Sequence, residues 1–158
     1  MHRKFDVTDK MSDYLNHPLP ETVCPSGYTY RQPSQLCYKA YNLERDYSGA
    51  RATCSSDGGT LAMPRDAATN TFLINLKNAV DNSAYFWFGL TDISQEGRWV
   101  WEDGTALGGF SSWESGQPDN SDNEDCGEYR PANHRFANKW NDMPCSTRRK
   151  FICQEGQT

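Results

Sequence analysis

The chain has 158 residues and a formal net charge of −5, long enough for one domain with a core of its own. Leu, Ile, Val and Phe number only 23, a share low enough to raise the question of disorder. The small net charge and five tryptophans, costly to leave in water, answer it in favour of a folded, aromatic-rich domain. No run approaches the ~18 apolar residues of a membrane span, which excludes membrane insertion. The acidic balance, with a pI of about 5.1, argues against nucleic acid as a partner and leaves cations open.

Residues 1–22 read as a flexible N-terminal leader, and residues 23–158 as the domain. The leader holds neither the apolar segment of a signal peptide nor heptads that would build an oligomer. Cys24 and Cys37 flank Tyr28-Thr29-Tyr30, a Gln-Pro-Ser turn and Leu36, the pattern of a hairpin closed by its own bridge. Tyr47, Ala50 and Cys54 follow at helical spacing, and Asp57-Gly58-Gly59 ends that helix. The spacing predicts a second helix over 65–80, with Phe72, Leu73, Leu76 and Val80 on one apolar face. Phe86 to Leu90 and Trp99 to Trp101 read as short strands. From Glu102 to Glu124 the pattern gives way to Gly, Ser, Asn, Asp, Gln and Pro. Loops of this length are uncommon unless functional or disordered, and Trp113 and Pro118 argue for order. Strands return at 126–129, 140–141 and 151–153. Two early helices with strands on both sides give an α+β domain.

The six cysteines are Cys24, Cys37, Cys54, Cys126, Cys145 and Cys153, an even count with no C-x-x-C pair. That pattern fits disulfides and an oxidising, secreted setting better than zinc or redox chemistry, although no Asn-x-Ser/Thr sequon supports secretion. Only three histidines are present, which argues against a His-rich metal site. Spacing alone allows fifteen connectivities. A Cys54–Cys153 link would join the first helix to the last strand, and a loop of that length contributes about 4–5 kcal/mol in the chain-entropy account.

The chemistry concentrates in oxygen donors. The long loop ends in Gln117-Pro118-Asp119-Asn120-Ser121-Asp122-Asn123-Glu124-Asp125-Cys126, and Trp140-Asn141-Asp142-Met143-Pro144-Cys145 lies downstream. If Cys126 and Cys145 are bonded, their Cβ atoms lie about 3.8 Å apart. Glu124 is then roughly 7 Å of extended chain from one end of the staple, with Asn141 and Asp142 close to the other. Crowded carboxylates repel one another unless a cation neutralises them. Carboxylate and amide oxygens without sulfur or imidazole suit calcium. A solvated acidic loop is the plain alternative; the staple and the flanking tryptophans weigh against it.

From Cys24 to Glu155 the sequence resembles the C-type lectin domain family. The resemblance rests on the six-cysteine pattern of the long form and on Trp87-Phe88-Gly89-Leu90, similar to the family's Trp-Ile-Gly-Leu signature. Trp113, Gln117-Pro118-Asp119, Glu124-Asp125-Cys126, Trp140-Asn141-Asp142 and a final cysteine strand follow in order. It implies a fold of two helices, small antiparallel sheets and a long calcium-binding loop, with bridges Cys24–Cys37, Cys54–Cys153 and Cys126–Cys145. It further implies that Gln117, Asp119, Glu124, Asn141 and Asp142 hold a calcium ion to which sugar binds directly, with a cis bond before Pro118. A second, auxiliary calcium would fall to Asp92, Glu96, Asn120, Glu124 and Asp125. Gln-Pro-Asp implies a galactose-type ligand. The tryptophan that stacks on the sugar in similar domains is replaced here by Asn120-Ser121-Asp122-Asn123. The implied function is a secreted, calcium-dependent lectin recognising terminal galactose or related sugars on microbial or self surfaces, in the manner of innate immune recognition. The alternative keeps the fold and binds a protein or ice. An enzyme is not expected, because His134 is the only histidine in the domain region. Met143, His134 and Arg135 stand near enough in sequence to line the site; loop packing and an exposed loop are their plain readings.

Overall fold

The computed structural model describes residues 24–119 and 123–156; the predicted leader and Asn120 lie outside the described residues. The chain runs β1 (Thr29–Arg31), β2 (Leu36–Arg45), α1 (Tyr47–Ser56), β3 (Thr60–Leu61), α2 (Ala67–Asp81), β4 (Phe86–Thr91), β5 (Val100–Trp101), β6 (Cys126–Tyr129), β7 (Trp140–Met143) and β8 (Arg149–Gly156). This is the α+β architecture expected, with the strands joined into one sheet of order β1-β2-β8-β4-β6-β7. The antiparallel pieces are united by one parallel pairing, Phe86 with Lys150 and Trp87 with Phe151. That junction makes the sheet mixed.

Both helices begin where an aspartate can cap them. Asp46 accepts from the Gly49 N–H at 2.8 Å and Asp66 from the Thr69 N–H at 2.8 Å, each satisfying a donor that the first turn leaves over. The cap places the start of α2 at Ala67, two residues later than expected. Its inward face also differs. Leu73 is buried, and Phe72 and Leu76 pack partly buried against the core, but Val80 is exposed. The remaining inward positions are Thr69, Asn70 and Lys77. Asn70 Oδ1 accepts from the Tyr129 hydroxyl at 2.5 Å and from Trp140 Nε1 at 3.0 Å. Lys77 Nζ donates to Asn78 and Asn138 Oδ1, both at 2.8 Å, and burial pushes its pKa down to about 8. The helix is polar inside because the core it covers presents hydroxyl, indole and amide groups that need partners.

Three disulfides join Cys24 to Cys37, Cys54 to Cys153 and Cys126 to Cys145. They tie the entry segment to β2, α1 to β8, and β6 to the residues after β7. Strand β4 is buried along its whole length, and Phe88 packs with Tyr129 and Trp140 at ring-centroid distances of 4.9 Å. Beside it, Gly89 donates to Ala62 O at 2.7 Å and accepts from the Glu102 N–H at 3.0 Å. A Cβ at this position would stand 2.9 Å from Leu61 O and 2.8 Å from Glu102 Cγ. Gly89→Ala is expected to destabilise the domain by about 1–3 kcal/mol through overpacking, read as a lowered midpoint in thermal unfolding with the disulfides intact.

Candidate calcium site

The loop from Glu102 is pinned to the sheet before it reaches the acidic segment. Trp140 N–H donates to Ser112 O at 2.8 Å and Trp140 O accepts from the Glu114 N–H at 2.9 Å. Trp113 thereby runs parallel to Trp140 as a one-residue extension of the sheet. The rings follow the backbone, with Trp113 edge-on to Trp140 at 5.6 Å and to Trp99 at 4.9 Å. Glu114, buried, receives both arms of Arg130 at 2.7 and 2.9 Å. Three residues on, Gln117 N–H donates to Glu114 O at 3.0 Å. Gln117-Pro118 is a cis peptide. The loop therefore delivers Gln117 to Asp119 beside the end of β7 that carries Asn141 and Asp142.

The other edge of β7 is set by β6, in the register Cys126 with Met143, Gly127 with Asp142 and Glu128 with Asn141. The Cys126–Cys145 bridge closes this ribbon with a Cα separation of 5.3 Å. Oxygen atoms of Asp119, Glu124 and Asp142 consequently lie within 4.8 Å of one another, and so do those of Asp92, Glu96 and Asp125 in a second cluster. Asn141 is buried with its Oδ1 lacking a hydrogen-bond partner, while its Nδ2 donates to Glu128 Oε2 at 3.3 Å. Gln117 turns toward Asp119: its Oε1 accepts from the Asp119 N–H at 3.0 Å and its Nε2 donates to Asp119 Oδ2 at 3.3 Å.

In the second cluster, Asp92 Oδ2 accepts from the Gly97 N–H at 2.9 Å, but Asp92 Oδ1 and Asp125 Oδ1 are buried with no donor. Desolvation first, and then the charges of Asp125 and Glu96, push the Asp92 carboxyl up to about 6. Glu96 is raised as well, by desolvation and by the charges of Asp125 and Asp142. Two close groups of hard oxygens, with buried acceptors lacking donors and carboxyls held against ionisation, are a donor set that fits calcium.

Of the nine residues expected to hold metal, the structure gathers Asp119, Glu124 and Asp142 in one cluster and Asp92, Glu96 and Asp125 in the other. Asn141 adjoins the first cluster in sequence with a buried acceptor, and Gln117 is bonded to Asp119. Met143 packs partly buried with Cys145 against the core cluster of Tyr47, Trp87 and Cys126. His134 Nδ1 accepts from the Phe136 N–H at 2.9 Å, and its ring meets Tyr85 edge-on. Arg135 lies over Phe136 at 5.2 Å. Both residues thus serve the 131–138 loop. Sequence reasoning missed Glu114 and Glu128, the buried carboxylates behind the site; the one signal for Glu128 is a charge in phase with Cys126 on a strand.

Two helices against a mixed sheet, three disulfides and two oxygen clusters beside a long loop are the features with which the chain enters comparison with known proteins. The Lectin C-type domain profile matches residues 44–155, so the chain belongs to the C-type lectin domain family. It is 33% identical over 134 residues to the C-type lectin domain family 4 member M of Nomascus concolor, covering 84% of this chain. It spans 31% of that relative's length. The mouse scavenger receptor C-type lectin carbohydrate-recognition domain superposes with a TM-score of 0.74 at 26% identity, over 85% of this chain and 98% of that one. Herring type II antifreeze protein superposes with a TM-score of 0.73 at 25% identity, over 85% and 100% of the two chains. Lectin domains of this family are not in general enzymes.

Because folding raises the Asp92 pKa to about 6 from an ordinary value of about 3.9, the ion-free folded state holds the extra proton between these limits. The contribution of this group to stability is therefore present at low pH and lost as pH rises through about 6. Asp92→Asn is expected to stabilise the EDTA-treated protein at pH 7 by about 1 kcal/mol after allowance for solvent screening, and to change little at pH 4. Thermal unfolding at the two pH values measures the difference. In calcium the variant should instead be the less stable protein, having lost a negative ligand.

Proposed function

We propose that the domain is a secreted lectin that binds galactose-type sugars through a calcium ion held by Gln117, Asp119, Glu124, Asn141 and Asp142. The observation that carries the reading is the convergence of Asp119, Glu124 and Asp142 oxygens within 4.8 Å, with Asn141, whose Oδ1 is buried without a donor, preceding Asp142 on β7. Calcium, when bound, supplies coordination positions for two neighbouring sugar hydroxyls. The chain's own residues then read those hydroxyls. The amide groups of Gln117 and Asn141 are donors, and the carboxylates of Asp119 and Glu124 are acceptors. Charge-assisted bonds of this kind give specificity with little buried area.

Gln117 and Asp119 decide the sugar because their order places an amide donor on one side of the ion and a carboxylate acceptor on the other. Exchanging them favours the mannose-type arrangement of hydroxyls. No aromatic residue follows the triplet, so affinity for a single sugar is weak and multivalent ligands are favoured. The auxiliary calcium is assigned to Asp92, Glu96, Glu124 and Asp125, with Asn120 as a further ligand. Three disulfides among six cysteines suit an oxidising, extracellular setting. Among the described residues no helix is long and apolar enough to cross a membrane. Glycans on microbial or self surfaces are the partner class, consistent with innate immune recognition. Ice is the second reading, favoured by the likeness to an antifreeze protein.

Calorimetric titration of galactose into the calcium-saturated protein should give heat that EDTA abolishes, with mannose weaker. The exchange Gln117→Glu with Asp119→Asn should shift the galactose-to-mannose preference by at least ~10-fold, about 1.4 kcal/mol. Thermal hysteresis of freezing without sugar binding would overturn the lectin reading in favour of ice.

A further inference from the structure

Asn141 sits one strand in from the loop, and its side chain has two ends of nearly the same shape. Rotating the terminal amide by half a turn exchanges an oxygen that can ligate calcium for a nitrogen that cannot. Something must choose. Opposite Asn141 in the β6–β7 register is Glu128, so the two side chains leave the sheet on one face. Glu128 is fully buried and Asn141 is 3% exposed. Glu128 Oε2 accepts from Asn141 Nδ2 at 3.3 Å, and Glu128 Oε1 accepts from Arg149 Nε at 2.8 Å.

An ionised carboxylate only accepts, so Glu128 admits the nitrogen of the amide and rejects the oxygen. Arg149 is the cation paired with this buried carboxylate, and it opposes the upward push that burial gives the Glu128 carboxyl. Its guanidinium is held in turn against the Tyr85 ring, 4.4 Å from the centroid. The outcome is visible at the other end of the amide, where Asn141 Oδ1 is buried with no hydrogen-bond partner. The second hydrogen of Nδ2 is left over from this contact.

We propose that Glu128, backed by Arg149, is a positioning residue that locks the Asn141 amide with its oxygen toward the ion and one N–H toward the sugar. The proposal rests on the reading of Asn141 as a calcium ligand given above. Glu128 itself touches neither ion nor sugar in this scheme; it acts through Asn141, as outer partners of metal ligands generally do.

The test uses Glu128→Gln, whose amide both donates and accepts and so permits either orientation of Asn141. A second variant, Arg149→Lys, keeps the cation but loses the fixed guanidinium geometry. Calcium affinity, measured well below the unfolding temperature, should fall about 10–100-fold in Glu128→Gln, with a smaller loss in Arg149→Lys. In EDTA, the side-chain amide protons of Asn141 should exchange slowly in the unsubstituted protein and faster in both variants. A purely structural role would lower the unfolding temperature while leaving the affinity of the folded protein unchanged. Affinities within twofold of the unsubstituted protein, or Asn141 amide protons that exchange equally fast in all three, would overturn the proposal. If Glu128→Gln does not fold, Arg149→Lys carries both measurements. If the unsubstituted protein takes up no calcium at Asn141, the reading of the site fails, and the amide-proton comparison in EDTA decides the positioning role on its own.

Discussion

Strand β7 is the constraint on which the candidate site depends. It is only four residues long, yet it is gripped on both edges. On one, Trp140 pairs with Tyr129 of β6 and the Cys126–Cys145 bridge closes the ribbon. On the other, the Trp140 backbone holds Ser112 and Glu114. Its indole is anchored by Asn70 and packed among Phe88, Phe110 and Trp113. Two chain segments distant in sequence are thereby brought to the two residues that follow Trp140. Without that grip, ordering an acidic loop of this composition would cost conformational entropy with no core to offset it.

The site places charge where the fold by itself would disfavour it. Carboxyl oxygens gathered within 4.8 Å repel one another, and the raised Asp92 and Glu96 carboxyls register that cost in the ion-free chain. Two other buried carboxylates are neutralised by arginine, Glu114 by Arg130 and Glu128 by Arg149. The contrast separates two classes of acid. The acids paired with arginine build the frame, and the two clusters are the proposed cation-binding face. Lys77, buried against amide and carbonyl oxygens rather than a carboxylate, belongs to the frame as well.

Much of this was legible in the sequence, for reasons that differ by element. The gathering of Asp119, Glu124 and Asp142 was legible through the resemblance to the C-type lectin domain family, since acids and amides in this order are equally the composition of a solvated loop. The helices were readable from apolar spacing, but the start of α2 was displaced because Asp66, an N-cap, was read as helix. Val80 was placed on the apolar face although it sits at the last turn, beyond the covered surface, where α2 is exposed. The single mixed sheet was not legible, since the pairing of β4 with β8 is a tertiary choice between segments 64 residues apart in sequence. Nor was the role of Glu128, whose meaning depends on a cross-strand register no local pattern encodes.

The proposed function places one ion between the loop and the end of β7. The direct measurement is a crystal structure of the protein grown with calcium and galactose, with the ion located by its anomalous scattering. The expected result is an ion within about 2.3–2.6 Å of oxygens from Asp119, Glu124, Asn141 and Asp142, with two sugar hydroxyls on the same ion. An ion bound only among Asp92, Glu96 and Asp125, or a sugar bound away from any ion, would contradict it.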